Sequence, residues 1–178
     1  MFFSRNFFDI LKVNDHIFLK EKILNKIDEF DNKSYVNNAK LSSIVSKTDW
    51  DGSGHKFLWL TYCFSEKDLN RIGKFIYEKY KKTCIYSNSW FSQYYANSNS
   101  NHNLHKHPEC DLVLIYYVEL YNKKLRTNLV NPKTNKIVIP NVKEGDLLII
   151  PSNIMHSSPK NNTNTRKTII SINIHLST

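Results

Sequence analysis

Residues 144–156 read EGDLLIIPSNIMH, and this stretch sets the fold class. Gly145 and Asp146 form a turn, Leu147 to Ile150 a short buried strand, and Pro151 to Met155 an irregular approach to His156. The same texture recurs on either side of it. From Cys84 onward, short apolar or alternating segments are separated by Asn, Pro and Gly, the pattern of an all-β sandwich or barrel. The sequence predicts strands at 84–95, 112–121, 137–139, 147–150 and 166–176. Upstream, two helices are expected. Over 21–30, Ile23, Ile27 and Phe30 recur at helical spacing and define one buried stripe. In SEKDLNRIGKFIYEKYKK (65–82), Ser65 is the N-cap, with Asp68 three residues on in place of the usual Glu of a capping box. Leu69, Ile72, Ile76 and Tyr80 form its apolar face, and Lys79, Lys81 and Lys82 are expected in its last turn. Residues 34–60, which hold Asp49, Trp50, Gly52, Gly54 and His55, read as a loop followed by a strand.

A chain of 178 residues with 40% apolar content, ten Phe, ten Tyr and three Trp has the material for one compact core and is too short for two full domains. The expected organisation is one domain over 1–178, with 1–83 supplying helices and first strands and 84–178 the core barrel. The longest apolar run, LVLIYYV at 112–118, is far short of the ~20 residues that span a bilayer. Arg5 and Asp9 interrupt any apolar leader, so a cytosolic protein with no membrane partner is expected. Cys63, Cys84 and Cys110 are odd in number and widely spaced, which suits neither a disulfide framework nor a CxxC site. The net charge of +9 raises the question of nucleic acid, but only four of the 25 basic residues are Arg and the Lys are scattered among 22 Asn. That is the profile of an AT-rich coding sequence, and nucleic acid is not the expected partner.

In NHNLHKHPECD (101–111), His105 and His107 stand at i and i+2, so an extended backbone projects both from one face. With His156 arriving from a distant segment, the three can meet at a barrel mouth and hold a metal with open positions; otherwise they are surface or hydrogen-bonding histidines. The last strand, RKTIISINIHL (166–176), puts Arg166, Thr168, Ile170, Ile172, Ile174 and Leu176 on one face and Lys167, Ser171, Asn173 and His175 on the other. The apolar face is expected to point inward and to take Arg166 with it. A guanidinium beside a core stripe needs an anion, either an internal Asp or Glu or the carboxylate of a small ligand held with help from Thr168.

The order HKHP, YYV, GDLLIIPSNIMH and RKTIISIN over about residues 89–174 resembles a 2-oxoglutarate- and iron(II)-dependent oxygenase family found in marine bacteria and phages. The resemblance implies a double-stranded β-helix, a jelly-roll barrel with N-terminal helices packed outside, and Fe(II) with 2-oxoglutarate as cosubstrate. His105, His107 and His156 take the places of the metal ligands. Arg166 and Thr168 take those of the pair gripping the distal carboxylate of 2-oxoglutarate. Two departures stand out. The usual metal triad is two histidines and one carboxylate, whereas His107 fills the carboxylate position here, and His107-Pro108-Glu109 is itself an H-x-E pattern in which Glu109 could replace His105. Val113 and Leu114 stand where the family tends to have Ser-Gly. Cys110 reads as a small buried thiol, and Asn103, Tyr94, Tyr95 and Asn173 either as structural residues or as partners of the cosubstrate or of the metal ligands. The implied activity is hydroxylation of an unidentified small molecule or protein side chain, with release of succinate and CO2; a homodimer is compatible with it. Two other readings stand beside it: a three-histidine, cupin-like metalloenzyme without 2-oxoglutarate, and a non-enzymatic jelly-roll binding module.

Overall fold

The computed structural model describes residues 7–31, 35–37, 43–50 and 57–177. In chain order the elements are β1 (Asp9–Lys12), α1 (His16–Asp28), β2 (Tyr35–Asn37), β3 (Ser43–Val45), β4 (Lys47–Thr48), α2 (Trp59–Cys63), α3 (Glu66–Tyr80), β5 (Thr83–Tyr94), β6 (His102–His105), β7 (Leu112–Leu120), β8 (Asn128–Val130), β9 (Ile137–Val138), β10 (Asp146–Pro151), β11 (His156–Ser158) and β12 (Lys167–Ser177). A large antiparallel sheet runs β1-β10-β7-β12-β5-β4, a small one runs β6-β11-β8-β9, and β2 pairs with β3 in a separate ribbon. This is a double-stranded β-helix, mainly β with helices in its N-terminal half, as the sequence predicts. No described helix is long and apolar enough to cross a membrane.

The central strands are buried on both faces, which is why they read as apolar runs rather than as alternations. All nine residues of β7 are buried, and they divide by parity. Leu112, Leu114, Tyr116 and Val118 join Leu147 and Ile149 of β10 and Ile170, Ile172 and Ile174 of β12 in a core shared with Ile23 and Ile27 of α1, Trp59 and Cys63 of α2, and Ile72 and Ile76 of α3. Val113, Ile115 and Tyr117 instead join Leu148, Ile150, Ile169 and Leu129 in a second core between the two sheets. The helices thus clothe the outer face of the large sheet, and the second core is the barrel interior. At roughly 1.5–3 kcal/mol for each large apolar side chain buried, the two cores together carry the fold.

In α3 Ser65 caps the helix, accepting from the Asp68 N–H at 3.2 Å and donating its hydroxyl to Asp68 Oδ2 at 3.0 Å. The helix ends when Lys81 turns left-handed (φ 58), so only Lys79 lies in its last turn and Lys81 and Lys82 fall beyond it. The first helix begins at His16, ahead of the expected 21, behind Asp15 at φ 53. Phe30 lies past its end, in edge contact with Phe57 and Phe91. The single-turn α2 escapes the expectation of a loop and strand over 34–60, since five residues show no periodicity; Gly52, Gly54 and His55, like Arg5, lie outside the described residues. At the β10 turn Gly145 is required: its φ is 86, and a Cβ there would sit 2.9 Å from Cγ of His16.

Candidate metal centre

The small sheet brings the predicted histidines together. β6 and β11 pair antiparallel with His105 opposite His156, so both rings leave the same face into the barrel. His107 lies two residues beyond β6, on a turn fixed by its N–H donating to the Ser152 carbonyl at 3.1 Å. The ring centroids are 4.3 Å apart for His105 and His156, 5.2 Å for His105 and His107, and 5.1 Å for His107 and His156. One ligand nitrogen from each lies within 4.8 Å of the others.

The nitrogens on the far side of each ring settle the tautomers. Nδ1 of His105 lies 2.7 Å from the Asn103 carbonyl, Nδ1 of His156 3.0 Å from the Ile154 carbonyl, and Nδ1 of His107 3.0 Å from the Asn173 amide oxygen. An oxygen of this kind can only accept, so each Nδ1 carries the proton and donates it, leaving Nε2 with a lone pair for a metal. Burial pulls the His105 imidazolium down to about 4 and lowers His107 and His156 as well, so the three rings are neutral near pH 7. Three convergent neutral imidazoles, each oriented from behind, fit a divalent transition metal.

Glu109 lies outside this cluster. It is exposed, and its carboxylate stands on the Nδ1 side of His107, 3.8 Å from that nitrogen, where it accepts from Asn173 Nδ2 at 3.4 Å. The H-x-E alternative therefore does not form here. Cys110 is buried with its thiol against the His107 carbonyl, and burial pushes that thiol up to about 11.

Arg166 and Thr168 do not face the histidines, which corrects the expected direction of the last strand. Their face of β12, with Ile170, Ile172 and Ile174, does point into a core, but into the one under the helices. There Glu119, 4% exposed, receives Arg166 Nε at 2.7 Å and Nη2 at 3.0 Å, and the Thr168 hydroxyl as well. The anion for Arg166 is thus an internal acid, and bidentate pairing with a buried carboxylate holds its guanidinium charged. Tyr95 sits beside this pair, away from the metal centre. Val113 and Leu114 are both buried, the first toward the barrel interior and the second toward the helices.

The opposite face of β12 builds the site. Asn173 orients His107, Ser171 lines the chamber beside the triad, and Lys167 lies fully buried behind the chamber walls Ser158 and Tyr94. Its Nζ donates to Ser158 Oγ at 2.9 Å and stands 5.2 Å from the Tyr94 ring centre and 5.8 Å from that of Tyr117. Among the described residues no carboxylate pairs with it, and burial alone pulls it down to about 7. Ser158 and Tyr94 are walls of the inner chamber, which holds about 20 Å³ beside the triad. That is the room of about one water, so a longer ligand also draws on the adjoining outer cavity or on rotation of the walls. The outer cavity holds about 220 Å³ and opens past Trp50, Trp90, Lys106 and Glu109; Trp90 stacks on His107 at 5.7 Å. Sequence reasoning missed Lys167 and Trp90. The available signal was the polar stripe Lys167, Ser171, Asn173 on a strand whose other face is already committed to Ile.

No protein-family model matches the sequence, and no curated protein matches it. Solved structures do. A prolyl hydroxylase from Trichoplax adhaerens, in complex with a hypoxia inducible factor oxygen degradation domain peptide fragment, superposes with TM-score 0.66 at 16% identity over 96% of this chain and 84% of that one. A viral collagen prolyl hydroxylase from Paramecium bursaria Chlorella virus-1, in its 2OG complex, gives 0.62 at 10% identity over 98% of both chains. An oxidoreductase of the 2OG-Fe(II) oxygenase family from Burkholderia pseudomallei gives 0.67 at 10% identity over 95% and 85%. At such identities the likeness shows a shared double-stranded β-helix.

Proposed function

We propose that this chain is an iron(II)- and 2-oxoglutarate-dependent oxygenase that hydroxylates a small molecule or a protein side chain. The observation that carries the reading is a chamber lined by three metal-ready imidazoles, with a buried, acid-free lysine on the large sheet behind its Ser158 wall. An ion would satisfy the imidazoles, and the carboxylate of an anionic ligand would satisfy the lysine. The fold shared with oxygenases of this type, and the sequence resemblance to the marine and phage family, support the same assignment.

Iron(II) and 2-oxoglutarate together supply dioxygen activation, with the cosubstrate leaving as succinate and CO2. His105, His107 and His156 would hold the ion through Nε2, and their Nδ1 protons, held by Asn103, Asn173 and Ile154, fix the rings in that orientation. Because all three ligands are neutral, the charge of the ion is left for a dianion to balance. Lys167 would take the distal carboxylate, the role the sequence resemblance gives to Arg166 and Thr168, which are occupied by Glu119. Trp90 and Tyr94 wall the site against water, and the outer cavity admits the substrate. The free thiols Cys63, Cys84 and Cys110 favour a reducing compartment such as the cytosol.

The absence of a carboxylate from the ligand cluster favours one other reading, a cupin-like metalloenzyme in which Lys167 grips the substrate's own carboxylate. Anaerobic titration of the apoprotein with iron(II) and then 2-oxoglutarate separates them. The oxygenase reading expects the visible charge-transfer band of the bidentate complex, lost in His156→Ala and needing far more cosubstrate in Lys167→Ala. Metal binding without the band would overturn it in favour of the second reading.

A further inference from the structure

A fourth histidine stands inside the same chamber. His102 opens β6, and its ring stacks on that of the ligand His105 with centroids 3.9 Å apart and planes 13° from parallel. Across the sheet its register partner is Ser158, the residue that accepts from Lys167. It lines both the inner chamber and the outer cavity. The residue is half-buried, and among the described residues its ring nitrogens have no hydrogen-bond partner. Its backbone position is set by sheet pairing, so packing alone calls for a flat ring here and not for an imidazole. The ring thus lies beside the triad on a wall that also carries Ser158, the acceptor of the Lys167 ammonium.

We propose that His102 is a positioning residue of the site, donating a ring N–H to a carboxylate oxygen of the cosubstrate as it bridges the metal ligands and Lys167. The inference rests on the oxygenase reading and adds a residue to it. The stack on His105 fixes the imidazole plane, and the nearby ammonium and metal ligands favour an anion beside it. His102 would thereby align the cosubstrate without touching the metal.

Isothermal titration of the iron(II)-loaded protein with 2-oxoglutarate under anaerobic conditions tests it, in wild type, His102→Phe and His102→Gln. Phe keeps a ring against His105 and removes both nitrogens; Gln restores a donor without the ring. Iron affinity is expected to hold within about threefold in both, and the 2-oxoglutarate Kd to rise about tenfold in His102→Phe, as for one lost hydrogen bond to a charged group, and to recover substantially in His102→Gln. A His102→Phe Kd equal to wild type would make the ring a mere stacking wall, and a lower one would make it a plug; either overturns the proposal. Absence of 2-oxoglutarate binding in the wild type would instead overturn the oxygenase reading itself.

Discussion

Replacing Lys167 with Met tests the central electrostatic feature of the barrel without recourse to any ligand. The side chain is fully buried, and burial pulls its ammonium from 10.5 to about 7. At about 1.4 kcal/mol per pH unit, that gap costs the native state roughly 5 kcal/mol when the lysine is charged. Met fills a similar volume without the charge. It forfeits the Ser158 hydrogen bond and the contacts of the cation with Tyr94 and Tyr117, together about 2 kcal/mol. The apoprotein variant should therefore be about 3 kcal/mol more stable than wild type at pH 6.5. The native state holds this proton less tightly than the unfolded chain, so wild-type stability rises relative to the variant between about pH 7 and 10.5 and runs parallel to it below. Urea unfolding of both proteins at pH 6.5 and pH 10 reads the difference, and the pairwise comparison cancels every other titrating group. A variant less stable than wild type at pH 6.5, or an advantage that does not shrink with pH, would refute an uncompensated cation at this position.

Three other substitutions follow from the same geometry. Arg166→Ala leaves the buried Glu119 carboxylate without its guanidinium and should lower stability by about 3 kcal/mol in thermal unfolding, yet keep the 2-oxoglutarate Kd within about twofold; a hundredfold loss would return the anchor to Arg166. Asn173→Ala frees the His107 Nδ1–H and should weaken iron(II) binding 10- to 100-fold in competition with a chelator, and an unchanged affinity would show that the amide does not orient the ring. Gly145→Ala places a Cβ 2.9 Å from His16 Cγ at φ 86 and should cost about 2 kcal/mol by urea unfolding, with a neutral result showing that the turn relaxes freely.

The long strands were legible because their burial on two faces left apolar runs too dense for loops, and α3 because capping and periodicity agree over fifteen residues. The small-sheet strands beside the site were not. HNLH, NLV and HSS are three or four residues long, too short to show a pattern of their own, and are held by pairing and turns. The histidines could still be chosen, since metal-ligand spacing is local chemistry. The direction of β12 could not, because a strand with cores on both sides gives no sign of which core holds the ligand. Ile170, Ile172 and Ile174 drew the reading to their side and carried Arg166 and Thr168 with them. Glu119, the acid that claims both, lies in the apolar strand β7, where nothing in the sequence links it to residue 166.

The ligands of the proposed metal and the anchor of its cosubstrate are on different sheets: His105 and His156 on β6 and β11, Asn173 and Lys167 on β12. The small-sheet strands are brief, so local opening at this mouth should come well before global unfolding. A bound ion and dicarboxylate would rivet the two layers there, slowing amide exchange in β6, β8 and β11 while leaving α1 and α3 unchanged. Proteases sample the opened mouth rather than the closed one. The lifetime of each molecule would then depend on its cargo, with charged copies persisting and empty ones cleared first.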